Sequence, residues 1–125
     1  MKKILFYLFI LLYLLAGINH FWHPQSYLGI IPPYLPWHDL INYAAGTCEI
    51  ILAIGMMFKS TRKLAAYVII AMLVAFVPAH IYMIVKAPFK MGTIQVTTFA
   101  AWIRLVIFQP LLIAWAWWLR KYNTK

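Results

Sequence analysis

The sequence predicts an all-α fold: an integral membrane antiparallel four-helix bundle with both termini cytoplasmic. Three observations carry that expectation. Hydrophobic residues make up 66% of the 125 residues and charged residues 10%, where soluble domains average roughly 45–50% and about 25%. Four apolar stretches are each long enough to cross a hydrocarbon core of about 30 Å, which takes about 20 residues. The basic residues gather at the ends of those stretches, mostly on one side. A soluble core could not absorb so much apolar surface in so short a chain, whereas a bilayer accepts it as solvent and asks only that backbone groups pair internally. No polar segment is long enough to fold separately, so residues 1–125 read as one transmembrane domain.

The first span covers residues 4–20. It follows Lys2 and Lys3, as the apolar region of a signal peptide would. No A-x-A site follows, however, and the apolar run continues to Ile18 without a polar break, which favours a retained helix. The loop after it, FWHPQSYLGIIPPYLPWHD (residues 21–39), is apolar and aromatic and contains neither Lys nor Arg. Pro24, Pro32, Pro33 and Pro36 prevent a continuous helix, so an irregular or extended segment is expected at the outer interface, capping the bundle. It reads either as a linker hugging the membrane or as a lid over a site between the helices.

The second span, residues 40–58, leads through the polar turn KSTRK (residues 59–63) into the third, residues 64–85, as in a helical hairpin. Inside the third lies FVPAHIYM, residues 76–83, where Pro78 removes a backbone donor and frees the carbonyl of Val74. KAPFKMGT (residues 86–93) breaks the chain before the fourth span, residues 96–119. There Pro110 frees the carbonyl of Val106.

Charge sets the orientation. Lys2, Lys3, Lys59, Arg62, Lys63, Arg120, Lys121 and Lys125 fall on one side and only Lys86 and Lys90 on the other. Loops rich in Lys and Arg stay in the cytoplasm, so the chain reads as a multi-pass protein of the cell inner (plasma) membrane, with the bilayer as its first partner. Trp115, Trp117, Trp118 and Tyr122 form an aromatic anchor at the cytoplasmic interface. The net charge of +9 is thus a topology signal and not a nucleic-acid patch. Cys48 is the sole cysteine; it forms no intrachain disulfide, and thiol chemistry would need a partner protein.

The polar residues inside the spans carry the functional question. The chain has two acids, Asp39 and Glu49, and Glu49 falls near the middle of the second span, where a charge costs a few kcal/mol. Arg104 is the basic residue well inside a span and cannot discharge itself. The two are therefore expected to pair. Asn42, Gly46, Glu49 and Ala53 recur at helical spacing, so polar groups and small residues share one face. Tyr13, Gly17 and His20 align on the first helix and Met72, Phe76 and His80 on the third, beside a small-residue ridge of Ala71, Ala75 and Ala79. His20, His80 and Arg104 fall in the outer half of this topology and Glu49 near mid-depth, with Gln109 deeper on the fourth helix.

Such a cluster reads either as a polar lock that fixes helix register or as a pocket opening outward. A Glu/His pair could also relay protons to a bound redox molecule. Haem ligated by bundle histidines is a weaker alternative, because nothing fixes a His-to-His distance. Zinc held by His20, His23 and His38 lacks a regular ligand spacing, and no metal is expected.

The runs AGINHFWHPQSYLGIIPPYLP, AAGTCEIILAIGMMF, RKLAAYVIIAMLVAFVPAHIYM and RLVIFQPLLIAWAW resemble the DoxX-like small four-helix membrane proteins over nearly the whole chain. The motifs are G-x-x-H-F with a following proline, a mid-helix Glu, P-A-N-x-Y-M, and R-x-x-x-x-Q. They fall on Gly17, His20, Phe21, Pro24, Glu49, Pro78, Ala79, Tyr82, Met83, Arg104 and Gln109. His80 stands where the motif has asparagine, which puts a proton role for that position in doubt. The resemblance implies a link to membrane oxidoreductase assemblies, including thiosulfate oxidation coupled to quinone, with assembly factors among distant relatives. Fold does not decide between them.

The expectation is therefore a membrane subunit of a redox system. It would bind a quinone or similar apolar carrier at His20, Glu49, His80, Arg104 and Gln109, alongside a membrane or redox partner protein. Arg104 and His80 would hold the carbonyl oxygens, with Glu49 orienting Arg104. The alternative is a non-enzymatic assembly or chaperone-like protein recognising a partner's transmembrane helix. A small-solute permease is a third reading, which so small a bundle supports poorly. Whether the chain is an enzyme is left open by its sequence.

Overall fold

The computed structural model describes residues 1–91 and 94–122; Lys125, counted above for orientation, and Gly92 and Thr93 of the break before the fourth span lie outside them. In chain order the elements are α1 (Lys2–Trp22), α2 (Pro24–Leu28), α3 (His38–Met57), α4 (Lys59–Ala75), α5 (Val77–Lys86), β1 (Phe89–Met91), β2 (Ile94–Val96), α6 (Thr98–Ile103), a π-helical turn (Arg104–Phe108) and α7 (Gln109–Leu119). Taken across their breaks, they make four helices long and apolar enough to cross a membrane: Lys2–Trp22, His38–Met57, Lys59–Lys86 and Thr98–Leu119.

Neighbours in sequence pack side by side, α1 on α3, α3 on α4 and α4 on α7. Aromatic rings close the ring of helices, with Phe9 edge-on to Trp115 at 5.1 Å and Phe6 against Tyr122 at 4.6 Å. One apolar core, including Phe6, Phe9, Met56, Ile69 and Leu119, fills the end that carries both termini. A smaller one, Ile30, Met83, Val96 and Ala101, fills the loop end. The polar residues lie between these two cores. Outside, large apolar side chains such as Leu11, Ile51, Val74 and Leu111 stay exposed, as expected of a surface whose solvent is lipid.

The end carrying the termini is fastened by Arg62, only 2% exposed. Its guanidinium donates to the carbonyls of Met56 (2.7 Å), Met57 (3.0 Å) and Tyr122 (2.6 Å), and stacks 4.5 Å from the Phe6 ring centre. Read from sequence as a topology charge, Arg62 is an internal clasp: α3 ends without a C-terminal glycine, and a planar fork of donors satisfies its open carbonyls.

Four other features depart from the sequence reading. The loop expected to be irregular contains the short helix α2, because proline is tolerated at a helix start, where its missing N–H has no partner to lose; Pro24 occupies that place. The break at residues 86–93 leads into a two-stranded hairpin, with Phe89 opposite Val96 and Lys90 opposite Gln95, so the all-α fold carries a small β appendage. The fourth helix accordingly begins at Thr98, capped by Thr97 Oγ1, which accepts from Ala100 N at 3.1 Å. The ridge of Ala71, Ala75 and Ala79 does not mark a close helix contact, since Ala71 and Ala75 face outward.

Candidate functional site

The site begins with two glycines. A Cβ at Gly46 would stand 2.6 Å from His20 Cβ and 2.9 Å from the Gly17 carbonyl oxygen, and one at Gly17 would stand 2.8 Å from Ile50 Cγ1. Neither position has room for a side chain, so α1 and α3 approach backbone to backbone, as small residues allow between membrane helices. The predicted polar face of α3 is borne out: Asn42, Gly46, Glu49 and Ala53 are all buried. So are Tyr13, Gly17 and His20 on α1.

This contact brings His20 into a fixed set of partners. Asn42 Nδ2 donates to the His20 backbone carbonyl at 3.0 Å, while Asn42 Oδ1 lies 2.7 Å from His20 Nδ1. A carbonyl can only accept, so the amide orientation is determined, and Nδ1 must carry a proton to donate to Oδ1. On the far side of the ring, Nε2 stands 3.2 Å from Glu49 Oε2, close enough for an ion pair though off the line of a straight hydrogen bond.

The loop covers this pair. The Tyr27 ring of α2 stacks on His20, centroids 3.8 Å apart and planes 19° off parallel. Its hydroxyl accepts from Asn19 Nδ2 at 2.8 Å, and Asn19 Oδ1 in turn lies 2.7 Å from His23 Nδ1. Burial, with Glu49 nearby, raises the Tyr27 hydroxyl above its ordinary pKa.

The other half of the layer is built from helix breaks. Around Pro78 the third span divides at Phe76 into α4 and α5, leaving last-turn carbonyls of α4 without helical donors. One of these, on Leu73, accepts from Gln109 Nε2 of α7. Gln109 Oε1 accepts from Arg104 Nη1 at 2.7 Å. That second bond requires the π-helical turn, in which Gln109 N–H reaches back five residues to the Arg104 carbonyl. The extra residue puts positions five apart on one face, where an α-helix aligns three and four. His80, 7% exposed, has no hydrogen-bond partner at Nδ1 among the described residues, and Arg104 lies within electrostatic reach of His80, Glu49 and Tyr27.

The expected Glu49–Arg104 ion pair is thus corrected: Glu49 pairs with His20, and half-buried Arg104 bonds Gln109. The five sequence-derived site residues form two contacts, His20 with Glu49 and Arg104 with Gln109, with His80 and Glu49 within electrostatic reach of Arg104, and these partners differ from those expected. Asn19 and Tyr27 were missed, although each stands four residues from His23, because the spacing from 19 to 27 runs across Pro24, read as a break. His20, His23 and His38 do not converge, and no cluster of three or more His, Cys, Asp or Glu able to hold a metal occurs among the described residues. An open groove of about 430 Å³ lies between the third and fourth spans, lined by Ile70, Val77, Gln109, Pro110, Ala114 and Trp117 among others.

The profile of the family described as "Domain of unknown function (DUF8561)" matches residues 9–120, nearly the whole bundle. The chain belongs to that family. The match includes every residue of the polar layer and both helix breaks. No curated protein and no solved structure matches the chain.

Proposed function

We propose that this is a multi-pass inner-membrane protein with cytoplasmic termini. In this reading it binds a small apolar ligand through acceptor oxygens at the polar layer, in the outer half of the bilayer, as the membrane subunit of a redox system. The orientation is supported by the gathering of Lys2, Arg62 and Tyr122 at one end of the bundle. The observation that carries the ligand reading is the buried, unpartnered Nδ1 of His80 beside Arg104. A buried polar atom without a partner costs about 1–3 kcal/mol, and Arg104 gives Gln109 one of its roughly five N–H donors. Both residues have donors to offer a carbonyl oxygen.

A quinone fits that requirement, with an apolar body and two carbonyl acceptors, and the DoxX-like motifs support the redox setting. His20 and Glu49 would stand next to the ligand as a proton-holding pair, not as the anchor of Arg104. The test is a lipid extract and absorption spectrum of protein purified in mild detergent, followed by titration with a short-chain quinone monitored by tryptophan fluorescence. Binding weakened at least about tenfold by His80→Leu and by Arg104→Met, equivalent to about 1.4 kcal/mol, supports the reading. Absence of both co-purified quinone and measurable binding overturns it.

The groove beside Pro110 favours a second reading, an assembly protein that seats a partner's transmembrane helix. It is almost wholly apolar and flanks the break between α4 and α5 and the π-helical turn. A stoichiometric membrane protein that co-purifies with the native chain, and is lost when Ala114→Trp fills the groove, would favour this reading over the first.

A further inference from the structure

In the stretch QPLLIAWAWWLR of the fourth span, Pro110, Ala114 and Trp117 follow one another at helical spacing, and Arg120 stands three residues further on. The first three line the groove between the third and fourth spans, together with Ile70 of α4 and Val77 of α5. Helical side chains lean toward the N-terminus, and the Arg120 guanidinium comes back over the Trp117 ring, 3.6 Å from its centre. Its Nη1 donates to the Trp117 carbonyl at 2.5 Å. That bond takes one of roughly five N–H donors and holds the planar fork beside a ring that lines the groove. On α4 the Tyr67 ring stands 6.0 Å from Trp117, and exposed Lys63 lies one turn before Tyr67 on the same face. The groove therefore has apolar walls, aromatic rings at the end nearer the termini, and beyond the rings a cation on each of the two helices.

We infer that the groove binds an anionic phospholipid from the leaflet on the side of the termini, its phosphate on Arg120 and one acyl chain between the third and fourth spans. Length favours a lipid chain over a helix. The lining runs along the fourth span from Leu105 to Trp117, roughly 18 Å at about 1.5 Å per residue. One leaflet is half of a hydrocarbon core of about 30 Å, so the groove has the depth of a single acyl chain, whereas a crossing helix needs a face along the whole core. Chemistry favours an anionic head. Tryptophan and tyrosine rings mark the level of the headgroups, a guanidinium fork matches two oxygens of one phosphate, and a zwitterionic head would bring its own ammonium toward Arg120 and Lys63. This goes beyond the ligand reading of the polar layer, which it leaves untouched, and gives the groove an occupant other than a partner helix.

Native mass spectrometry of the full chain in an uncharged maltoside detergent would count the lipids bound during titration with dioleoyl phosphatidylglycerol or dioleoyl phosphatidylcholine, which share tails and differ in head. The expected result is one phosphatidylglycerol bound at least about tenfold tighter than phosphatidylcholine. Arg120→Gln should bring the two lipids level, and Ala114→Trp, which fills the groove, should weaken phosphatidylglycerol to a similar extent. Lys3→Gln, which removes an exposed charge at the same end on α1, should change neither. Glycerol phosphate, a head without a tail, should not displace the lipid. Equal binding of the two lipids by the native chain overturns the inference, as does a preference that survives Arg120→Gln or Ala114→Trp, is lost in Lys3→Gln, or yields to glycerol phosphate. A co-purifying membrane protein that Ala114→Trp releases while phosphatidylglycerol binding stays unchanged overturns it in favour of the partner helix. None of these outcomes bears on the quinone titration of the polar layer, and the comparison of the two lipids on the native sequence decides even if neither groove variant folds.

Discussion

Adding one methyl group at Gly46 should dismantle the polar layer without touching any polar residue. In Gly46→Ala the new Cβ would meet His20 Cβ at 2.6 Å and the Gly17 carbonyl at 2.9 Å. Carbon atoms pack at about 3.5–4.0 Å, so α1 must retreat by about 1 Å. Both obstructing atoms belong to or adjoin backbone and cannot swing aside. The same displacement would stretch the 2.7 Å contact of His20 Nδ1 to Asn42 and the 3.2 Å contact of Nε2 to Glu49 beyond bonding range. Overpacking costs about 1–3 kcal/mol and the lost buried hydrogen bond to Asn42 about 1 kcal/mol more, for a total of about 2–4 kcal/mol. Reversible unfolding in mixed micelles, titrated with a denaturing detergent, would measure it. Gly29→Ala is the control, since its Cβ would meet nothing closer than Lys86 Nζ at 3.6 Å and the Gln25 carbonyl oxygen at 3.9 Å. Equal stability of the two variants would show that the Gly17–Gly46 contact does not hold His20 in place.

Arg62→Met should destabilise the bundle by about 3 kcal/mol or more, because three carbonyls lose a charged donor. Arg62→Lys should recover less than half of that, as a point charge cannot serve all three, and the same unfolding titration reads both. A double-mutant cycle on His20→Asn and Glu49→Gln should give a coupling of at least about 0.5 kcal/mol and a larger one than Glu49→Gln with Arg104→Met; the reverse ranking would restore the pairing expected from sequence. Tyr27 has its pKa raised in the folded state, first by burial. The unfolded chain therefore loses that proton first as pH rises, so stability should fall above about pH 10. Tyr27→Phe should flatten that fall in a pH series of unfolding midpoints.

The faces of the helices were legible because 3.6-residue spacing survives in α1 and α3, which are uninterrupted. Asn42, Gly46 and Glu49 could be placed together from their numbers alone. The partner of Glu49 could not be chosen, since depth allowed both His20 and Arg104 and only the glycine contact selects His20. The Arg104–Gln109 bond was invisible for a different reason: five is not a helical spacing until a π turn makes it one. Pro24 was read as a breaker when it starts a helix, and that concealed the stacking of Tyr27 on His20. Arg62 was hidden by its company, one basic residue among several in KSTRK, with burial decided by carbonyls that no sequence pattern marks.

The bond from Gln109 to the Leu73 carbonyl has a mechanical meaning. Two of the four long helices run unbroken from end to end, and two are divided at about the same level. That single amide ties the α4–α5 break of the third span to the end of the π turn in the fourth, while the two unbroken helices offer no break to tie. α5 and α6, which carry His80 and lead to Arg104, both lie beyond it. A displacement of either one relative to α4 and α7 would be felt first at that bond.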